Sequence, residues 1–331
     1  KSGQKFFGIL DLPRDLAVAR VQEAAGSVTV TFTPGGHRST FSRDWLAEQR
    51  APPSSDGRTE DDKELWQASD LDGRLPRGNW EAYLSDASER LRVLRAVQRL
   101  GFAVLHGTPV VEGTVLEVAR SFGYVRETNY GALFDVRVTV DPSNLAFTGL
   151  AISPHTDNPY RDPVPTLQLL HCLSNAVDGG ESGLVDGFYA ASLLSKEDRK
   201  AFEVLTTTLV PFAWSDASNK LRAARPLIGL DPSARIREVR FNNRSMEALR
   251  FPGAELTAFY AAYRKFAEIL NREEMQVIFR LEPGDCVIFD NVRLLHSRTV
   301  FADTGSGTRR LQGCYADMDG LASAVAVLGD A

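Results

Sequence analysis

His155, Thr156 and Asp157 make a His-x-Asp step, and His296 and then Arg309 answer it far downstream. Two histidines and one carboxylate form a facial triad that occupies one face of a ferrous ion and leaves the other positions open. A chelating co-substrate and dioxygen can enter there. Arg309 adds a planar guanidinium fork suited to a carboxylate. The four residues together fit oxygen chemistry at iron with 2-oxoglutarate as the chelating acid. A His-x-Asp pair alone carries little weight, because His155 also reads as a turn histidine before Pro159. His296 in turn reads as a core histidine after Leu294-Leu295. The weight comes from all four residues and from the elements around them.

Those elements are strands. Leu281-Glu282-Pro283-Gly284-Asp285 reads as a turn, Cys286-Val287-Ile288-Phe289 as a buried strand and Asp290-Asn291 as a second turn. His296 follows, where a rigid scaffold can aim it. Alternation in Arg309-Arg310-Leu311-Gln312-Gly313-Cys314-Tyr315 predicts another strand. A ligand and an anchor on consecutive strands can share one cavity. Upstream, Leu84, Leu91, Leu94, Val97 and Leu100 recur at helical spacing over residues 80–100. Gly101 closes that helix, and Phe102-Ala103-Val104-Leu105 reads as a buried strand. A second helix is predicted over residues 254–270, with Phe259, Tyr263, Phe266 and Leu270 on its core face. Ser27 to Phe32 alternates apolar and polar residues and turns at Pro34-Gly35-Gly36. Residues 1–50 are therefore read as a small β domain. Residues 51–72, rich in turn formers, are read as a linker, and residues 73–331 as the main domain.

The net charge of −5 gives no basic footprint for nucleic acid or an anionic membrane. No apolar run approaches the roughly 20 residues of a membrane span. Hydrophobic and charged contents of 43% and 24% suit a globular chain. Cys172, Cys286 and Cys314 all lie in apolar strand-like runs. An odd set of core thiols points to a reducing, cytoplasmic compartment. Expected partners are thus small molecules and dioxygen, not nucleic acid or membrane.

Longer segments carry a resemblance. They are Asn129-Tyr130-Gly131-Ala132-Leu133-Phe134-Asp135-Val136, His155-Thr156-Asp157-Asn158-Pro159, and Leu167-Gln168-Leu169-Leu170-His171-Cys172. To these add Gly179-Gly180-Glu181-Ser182, Val185-Asp186-Gly187-Phe188, Phe289-Asp290-Asn291 through His296, and Gln312-Gly313-Cys314-Tyr315. In this order they resemble the γ-butyrobetaine dioxygenase family, within the wider taurine dioxygenase-like group of iron and 2-oxoglutarate enzymes. The resemblance covers most of residues 75–325. It implies a mainly β fold with flanking helices, a double-stranded β-helix or jelly-roll, preceded by the small N-terminal β domain. It implies hydroxylation of a small quaternary ammonium zwitterion, with ascorbate as reductant, and it allows a homodimer.

By the same resemblance His155, Asp157 and His296 match the iron ligands. Arg309 matches the residue that pairs with the far carboxylate of 2-oxoglutarate, and Ser182 the hydroxyl near it. Tyr130, Phe134, Phe147 and Tyr315 match aromatic positions around a trimethylammonium head, and Asn144 and Asn242 match amides at the anionic end. Physical chemistry agrees: a quaternary ammonium cannot donate a conventional hydrogen bond, but each well-placed ring attracts it by roughly 0.5–2 kcal/mol. Each ring alone would read as core packing, and His171 is read as a core or supporting histidine on a strand.

The N-terminal piece is also similar to the family's small β domain. Phe41 to Leu46 matches its closing segment, and His37 falls where relatives carry a zinc-binding His. The cysteine partners lie upstream of the segment that residues 1–5 resemble. One His cannot build a structural site of about four ligands, so zinc is not expected here, and His37 then reads as an exposed turn residue.

Three rivals stay open. One is the same chemistry on trimethyllysine or on 2-(trimethylammonio)ethylphosphonate, whose doubly charged end would suit Asn242-Asn243-Arg244 and Arg250. The second is a jelly-roll that only binds a metal or small molecule, which would not need Arg309 and Ser182. The third is a zinc hydrolase on the same ligands, for which no general base stands out.

Overall fold

Residues 309–316 alternate between two buried faces, and that strand sets the architecture. The structure is a computed structural model that describes residues 4–49, 63–71, 74–138, 148–301 and 308–330. Contacts divide the chain into two compact units, Lys1–Thr59 and Glu60–Ala331. In the first, β1 (Ala17–Ala24), β2 (Ser27–Thr33) and β3 (Arg38–Ser42) form an antiparallel sheet in chain order. α1 (Arg43–Glu48) follows, its start capped where the Ser42 hydroxyl oxygen accepts from the Trp45 N–H. His37, between β2 and β3, is exposed, with Nε2 3.2 Å from Ser39 Oγ.

The second unit opens with α2 (Ala68–Leu71), β4 (Arg77–Asn79), α3 (Trp80–Ser85), α4 (Ala87–Leu100) and β5 (Phe102–His106). It continues through α5 (Thr114–Arg120), β6 (Val125–Arg126) and β7 (Phe134–Arg137) to β8 (Ile152–His155), β9 (Leu167–Asn175) and β10 (Ser182–Asp186). An excursion follows. It comprises α6 (Gly187–Glu197), α7 (Arg199–Thr207), the hairpin of β11 (Val210–Ser215) and β12 (Lys220–Arg225), the pair β13 (Ile228–Leu230) and β14 (Ile236–Val239), and α8 (Gly253–Leu270). The chain returns as β15 (Val277–Phe279), β16 (Cys286–Asp290), β17 (Leu294–Arg298), β18 (Arg309–Ala316) and α9 (Met318–Gly329).

Two sheets result. The larger is ordered β4-β5-β16-β9-β18-β6, with β7 also paired to β18; the smaller is β15-β10-β17-β8. Phe102, Val104, Cys172, Val287, Phe289 and Leu311 of the larger sheet pack against Leu184, Val277, Phe279 and Leu294 of the smaller. The outer face of the larger sheet, with Ala103, Leu105, Leu167, Leu169, Ile288 and Cys314, is covered by α3, α4, α5 and α9. This is the expected jelly-roll with flanking helices. Phe259, Phe266 and Leu270 of α8 are buried, with Tyr263 packed beside them, as the stripe predicts. Cys172, Cys286 and Cys314 are free and buried. Among the described residues no helix is long and apolar enough to cross a membrane.

Three details differ from the sequence reading. The helix expected over 80–100 is two helices, because Asp86 adopts an extended backbone and its carboxylate caps α4 by accepting from Ser88 N–H. Leu84 is consequently exposed. Residues 63–71, assigned to the linker, belong to the larger unit. Trp66 is fully buried and donates its indole N–H to Leu100 O at 2.7 Å. Lastly, β17 and β18 are consecutive in the chain but lie in different sheets, so His296 and Arg309 reach the interior from opposite walls.

Candidate active site

β8 and β17 pair antiparallel with His155 directly opposite His296, and their rings stand 4.1 Å apart. Asp157 sits two residues beyond β8. Its backbone is clamped by the Asn291 side chain, whose oxygen accepts from Asp157 N–H at 2.9 Å and whose amide donates to Asp157 O at 3.0 Å. One ligand atom from each of His155, Asp157 and His296 lies within 4.8 Å of the others. Strand register and one asparagine thus gather the three expected donors.

The donor chemistry suits a divalent metal. His155 Nδ1 lies 3.0 Å from Ser153 O, so the hydrogen sits there and Nε2 keeps its lone pair facing Asp157. His155 Nε2 is 3.5 Å from Asp157 Oδ1, and His296 Nε2 is 3.9 Å from Oδ2. Burial, reinforced by His155, pushes His296 down to about 3 and keeps it neutral. Burial alone would raise Asp157, but the polar groups beside it and the Arg244 guanidinium outweigh it. They hold the carboxyl well below the usual range. Neutral imidazoles and an ionised carboxylate are the forms that bind a metal.

These groups open onto a cavity of about 460 Å³. Arg309, Leu311 and Tyr315, all on one face of β18, line it, as do Ser182 of β10 and Gln168 and Leu170 of β9. Arg309 is only 6% exposed. Its Nε donates to Gly180 O at 3.1 Å, and its guanidinium lies over the Phe301 ring at 5.6 Å. Burial lowers its pKa to about 10, and no carboxylate pairs with it among the described residues. Glu181 acts on Arg309 only from beyond ion-pair distance, so a buried guanidinium with no carboxylate in contact among the described residues fits an anionic ligand in the cavity. Gly180, at φ +70°, permits this approach, since a Cβ there would meet Arg309 Cδ and Nε at 3.0 Å.

A run of rings forms the other wall. Tyr315 and Phe134 stand 5.1 Å apart, Phe134 and Tyr130 6.2 Å, Tyr130 and Trp214 5.6 Å, and Trp214 and Tyr160 6.1 Å. Gly313, opposite Phe134 in the β7–β18 pairing, makes room for that ring, because a Cβ would collide with Phe134 Cζ. Tyr130 and Tyr160 share a hydrogen bond at 3.0 Å between their hydroxyls. Burial raises both phenols, so they stay protonated.

Most of the expected site residues thus meet in one cavity. Asn144 and Phe147 lie outside the described residues. Asn242 lines the cavity, but its amide donates to Thr156 O at 2.9 Å and its oxygen accepts from Arg244 N–H at 3.1 Å, which leaves one N–H for a ligand. His171 is fully buried on β9 and outside the cavity lining. Sequence reasoning missed Gln168, Asn291, Tyr160 and Trp214 as site residues, whereas Arg244, named there for a phosphonate end, does line the cavity. Gln168 and Asn291 stood inside quoted motifs, and a polar side chain in the run Leu167-Gln168-Leu169-Leu170 was the available signal. Nothing in the β11–β12 hairpin sequence ties Trp214 to the site.

The comparisons with known proteins agree with this geometry. Residues 63–315 match the family model "Taurine catabolism dioxygenase TauD, TfdA family". The chain is 35% identical to a γ-butyrobetaine dioxygenase of Pseudomonas sp. (strain AK-1) over 98% of this chain and 85% of that one. It is 31% identical to the γ-butyrobetaine dioxygenase of Homo sapiens, over 89% of this chain and 78% of that one. It is 28% identical to a trimethyllysine dioxygenase of Meyerozyma guilliermondii, over 98% and 85%. An asparagine oxygenase solved with Fe(II), 3-hydroxyasparagine and succinate shares the fold, with TM-score 0.56 and 20% identity over 71% of this chain and 81% of that one. The chain therefore belongs to the TauD, TfdA family, as a γ-butyrobetaine dioxygenase-like member, and is an iron- and 2-oxoglutarate-dependent dioxygenase.

Proposed function

We propose that the enzyme hydroxylates a small zwitterion with a trimethylammonium head, converting γ-butyrobetaine to carnitine. The observation that carries this reading is the continuous aromatic wall beside the triad, in a chain 35% identical to a γ-butyrobetaine dioxygenase. His155, Asp157 and His296 would hold the iron. When bound, iron supplies the activation of dioxygen that couples decarboxylation of 2-oxoglutarate, to succinate and carbon dioxide, with insertion of one oxygen atom into a substrate C–H bond. The protein's own part is binding and orientation. Arg309, with Ser182, fixes the far carboxylate of 2-oxoglutarate by charge-assisted hydrogen bonds. Tyr130, Phe134, Trp214 and Tyr315 offer π faces to the cationic head. The remaining Asn242 N–H serves the anionic end, and Asn144 and Phe147 are assigned to the same roles by resemblance. Ascorbate acts as reductant, in a reducing, cytoplasmic compartment suited to the three free thiols.

One observation favours a second substrate. The Arg244 side chain lines the cavity beside Asn242 and Ser245, and a guanidinium matches the doubly charged end of 2-(trimethylammonio)ethylphosphonate better than a single carboxylate. The test is succinate release across γ-butyrobetaine, trimethyllysine and that phosphonate. The expected outcome is highest kcat/KM on γ-butyrobetaine. A higher value on the phosphonate would replace the carboxylate reading, and no turnover of any trimethylammonium compound would end both.

A further inference from the structure

Gln168 stands alone as a polar residue in the run Leu167-Gln168-Leu169-Leu170, in the middle of the larger sheet. It is 2% exposed, and its buried Oε1 has no hydrogen-bond partner among the described residues. An unsatisfied buried oxygen works against stability, and a leucine would fit this strand's pattern without that cost. What the amide does make is one bond: Nε2 donates to Asp157 Oδ2 at 3.0 Å. A second donor reaches the same oxygen, the Tyr315 hydroxyl, also at 3.0 Å. A carboxylate oxygen can only accept, so the hydroxyl is the donor in this pair. Two donors occupy the lone pairs of Oδ2. Oδ1, 3.5 Å from His155 Nε2, is left as the oxygen free to bind metal.

We infer that Gln168 and the Tyr315 hydroxyl are positioning residues that fix the Asp157 carboxylate so that it offers the metal Oδ1 alone. Tyr315 thereby has two duties. Its ring packs against Phe134 at 5.1 Å in the aromatic wall, while its hydroxyl braces the metal site, so one side chain joins the cation's wall to the carboxylate. This rests on the assignment of Asp157 as a metal ligand.

The test is metal affinity of the full chain, read without turnover by titrating metal-free protein with Mn(II). Gln168→Met keeps the volume and removes the donor; Tyr315→Phe keeps the ring and removes the hydroxyl. Each should weaken Mn(II) binding about 10- to 100-fold, the usual loss for a group that hydrogen-bonds a ligand, and the double variant should weaken it further. Unchanged affinity in both single variants would overturn the inference. Should Gln168→Met fail to fold, Tyr315→Phe, which preserves the wall, decides by itself. Asp157→Ala separates the two levels. If it removes Mn(II) binding while the other variants leave it intact, only the positioning role falls. If it leaves binding intact, the ligand assignment falls as well.

Discussion

At the metal end of the cavity, His155, His296, Ser182 and Arg309 stand on β8, β17, β10 and β18, and the two histidines face each other in strand register. Backbone bonds and buried side chains fix that end, down to the Asn291 clamp on Asp157. At the aromatic end, among the described rings, only Phe134 and Tyr315 stand on paired strands of the main sheet. Tyr130 and Tyr160 lie in turns, and Trp214 lies on the β11–β12 hairpin of the excursion. Rings there hold one another. The chemistry is built on sheet geometry that cannot shift without unpairing strands, whereas the selective wall is assembled from connections that vary without harm to the sheets. Substitutions of the three metal-binding candidates should therefore remove activity outright, and those at the aromatic end should change preference.

The largest effect belongs to the triad. His155→Ala, Asp157→Ala and His296→Ala should each lower kcat/KM by more than about a thousandfold, more than 4 kcal/mol, with the fold intact. Circular dichroism and succinate release check this. Near wild-type activity in any of the three would break the comparison at its strongest point.

Next comes the footing of the metal end. Arg293 and Asp186 are both fully buried and joined at 2.7 Å, at the start of β17 and the end of β10. Arg293 also donates to Arg99 O and Glu64 O, while Asp186 caps α6 and accepts from Trp66 N–H. Arg293→Ala leaves a buried carboxylate unpaired and should cost about 3–5 kcal/mol of stability. Denaturant unfolding should show a much lower midpoint with an unchanged slope. A loss under about 1 kcal/mol would mean that water relieves Asp186 and that this footing is not rigid.

Arg309 should have a smaller but sharper effect. If Arg309 pairs with the far carboxylate of 2-oxoglutarate as proposed, Arg309→Ala removes that counter-charge, and the Michaelis constant for the co-substrate should rise at least about tenfold. The constant for the prime substrate should move far less. Equal changes in both would make Arg309 a support for Gly180 and Phe301 rather than an anchor.

The contrast between the two ends also explains how much the sequence revealed. The triad and Arg309 were legible from their residue types together with the strands predicted around His296 and Arg309, whereas Ser182 was reached only through the family resemblance. The pairing of His155 with His296 was not legible, since it depends on β8 and β17 being neighbours in the smaller sheet, a long-range register with no local signal. The break at Asp86 was missed because Leu84 and Leu91 mimic one continuous stripe, while a capping carboxylate is only one residue. Trp66 looked like part of a linker because a single buried side chain leaves no periodicity. Tyr160 and Trp214 were hidden for the reason that sets the aromatic end apart. Their approach to Tyr130 is decided by how a turn and a hairpin fold back, not by any repeat in the chain.

The smallest predicted effect tests whether that aromatic wall recognises charge or only shape. Tyr130→Leu and Trp214→Leu keep an apolar surface and remove a π face. If the rings attract the cation, each should weaken a trimethylammonium substrate by about 0.5–2 kcal/mol, roughly two- to thirtyfold. A neutral analogue with a tert-butyl head has nearly the same shape and no charge. It should bind wild type weakly and lose little more in either variant. Competition between the two ligands, measured in wild type and in each variant, isolates the charge term, because lost packing affects both alike. Trp214 should show the smaller difference of the two if it acts mainly by holding Tyr130 edge-on at 5.6 Å, and an equal difference if its own face meets the head. Equal losses for the charged and neutral heads in both variants would mean that the rings only pack, and the trimethylammonium assignment would then rest on kinship alone.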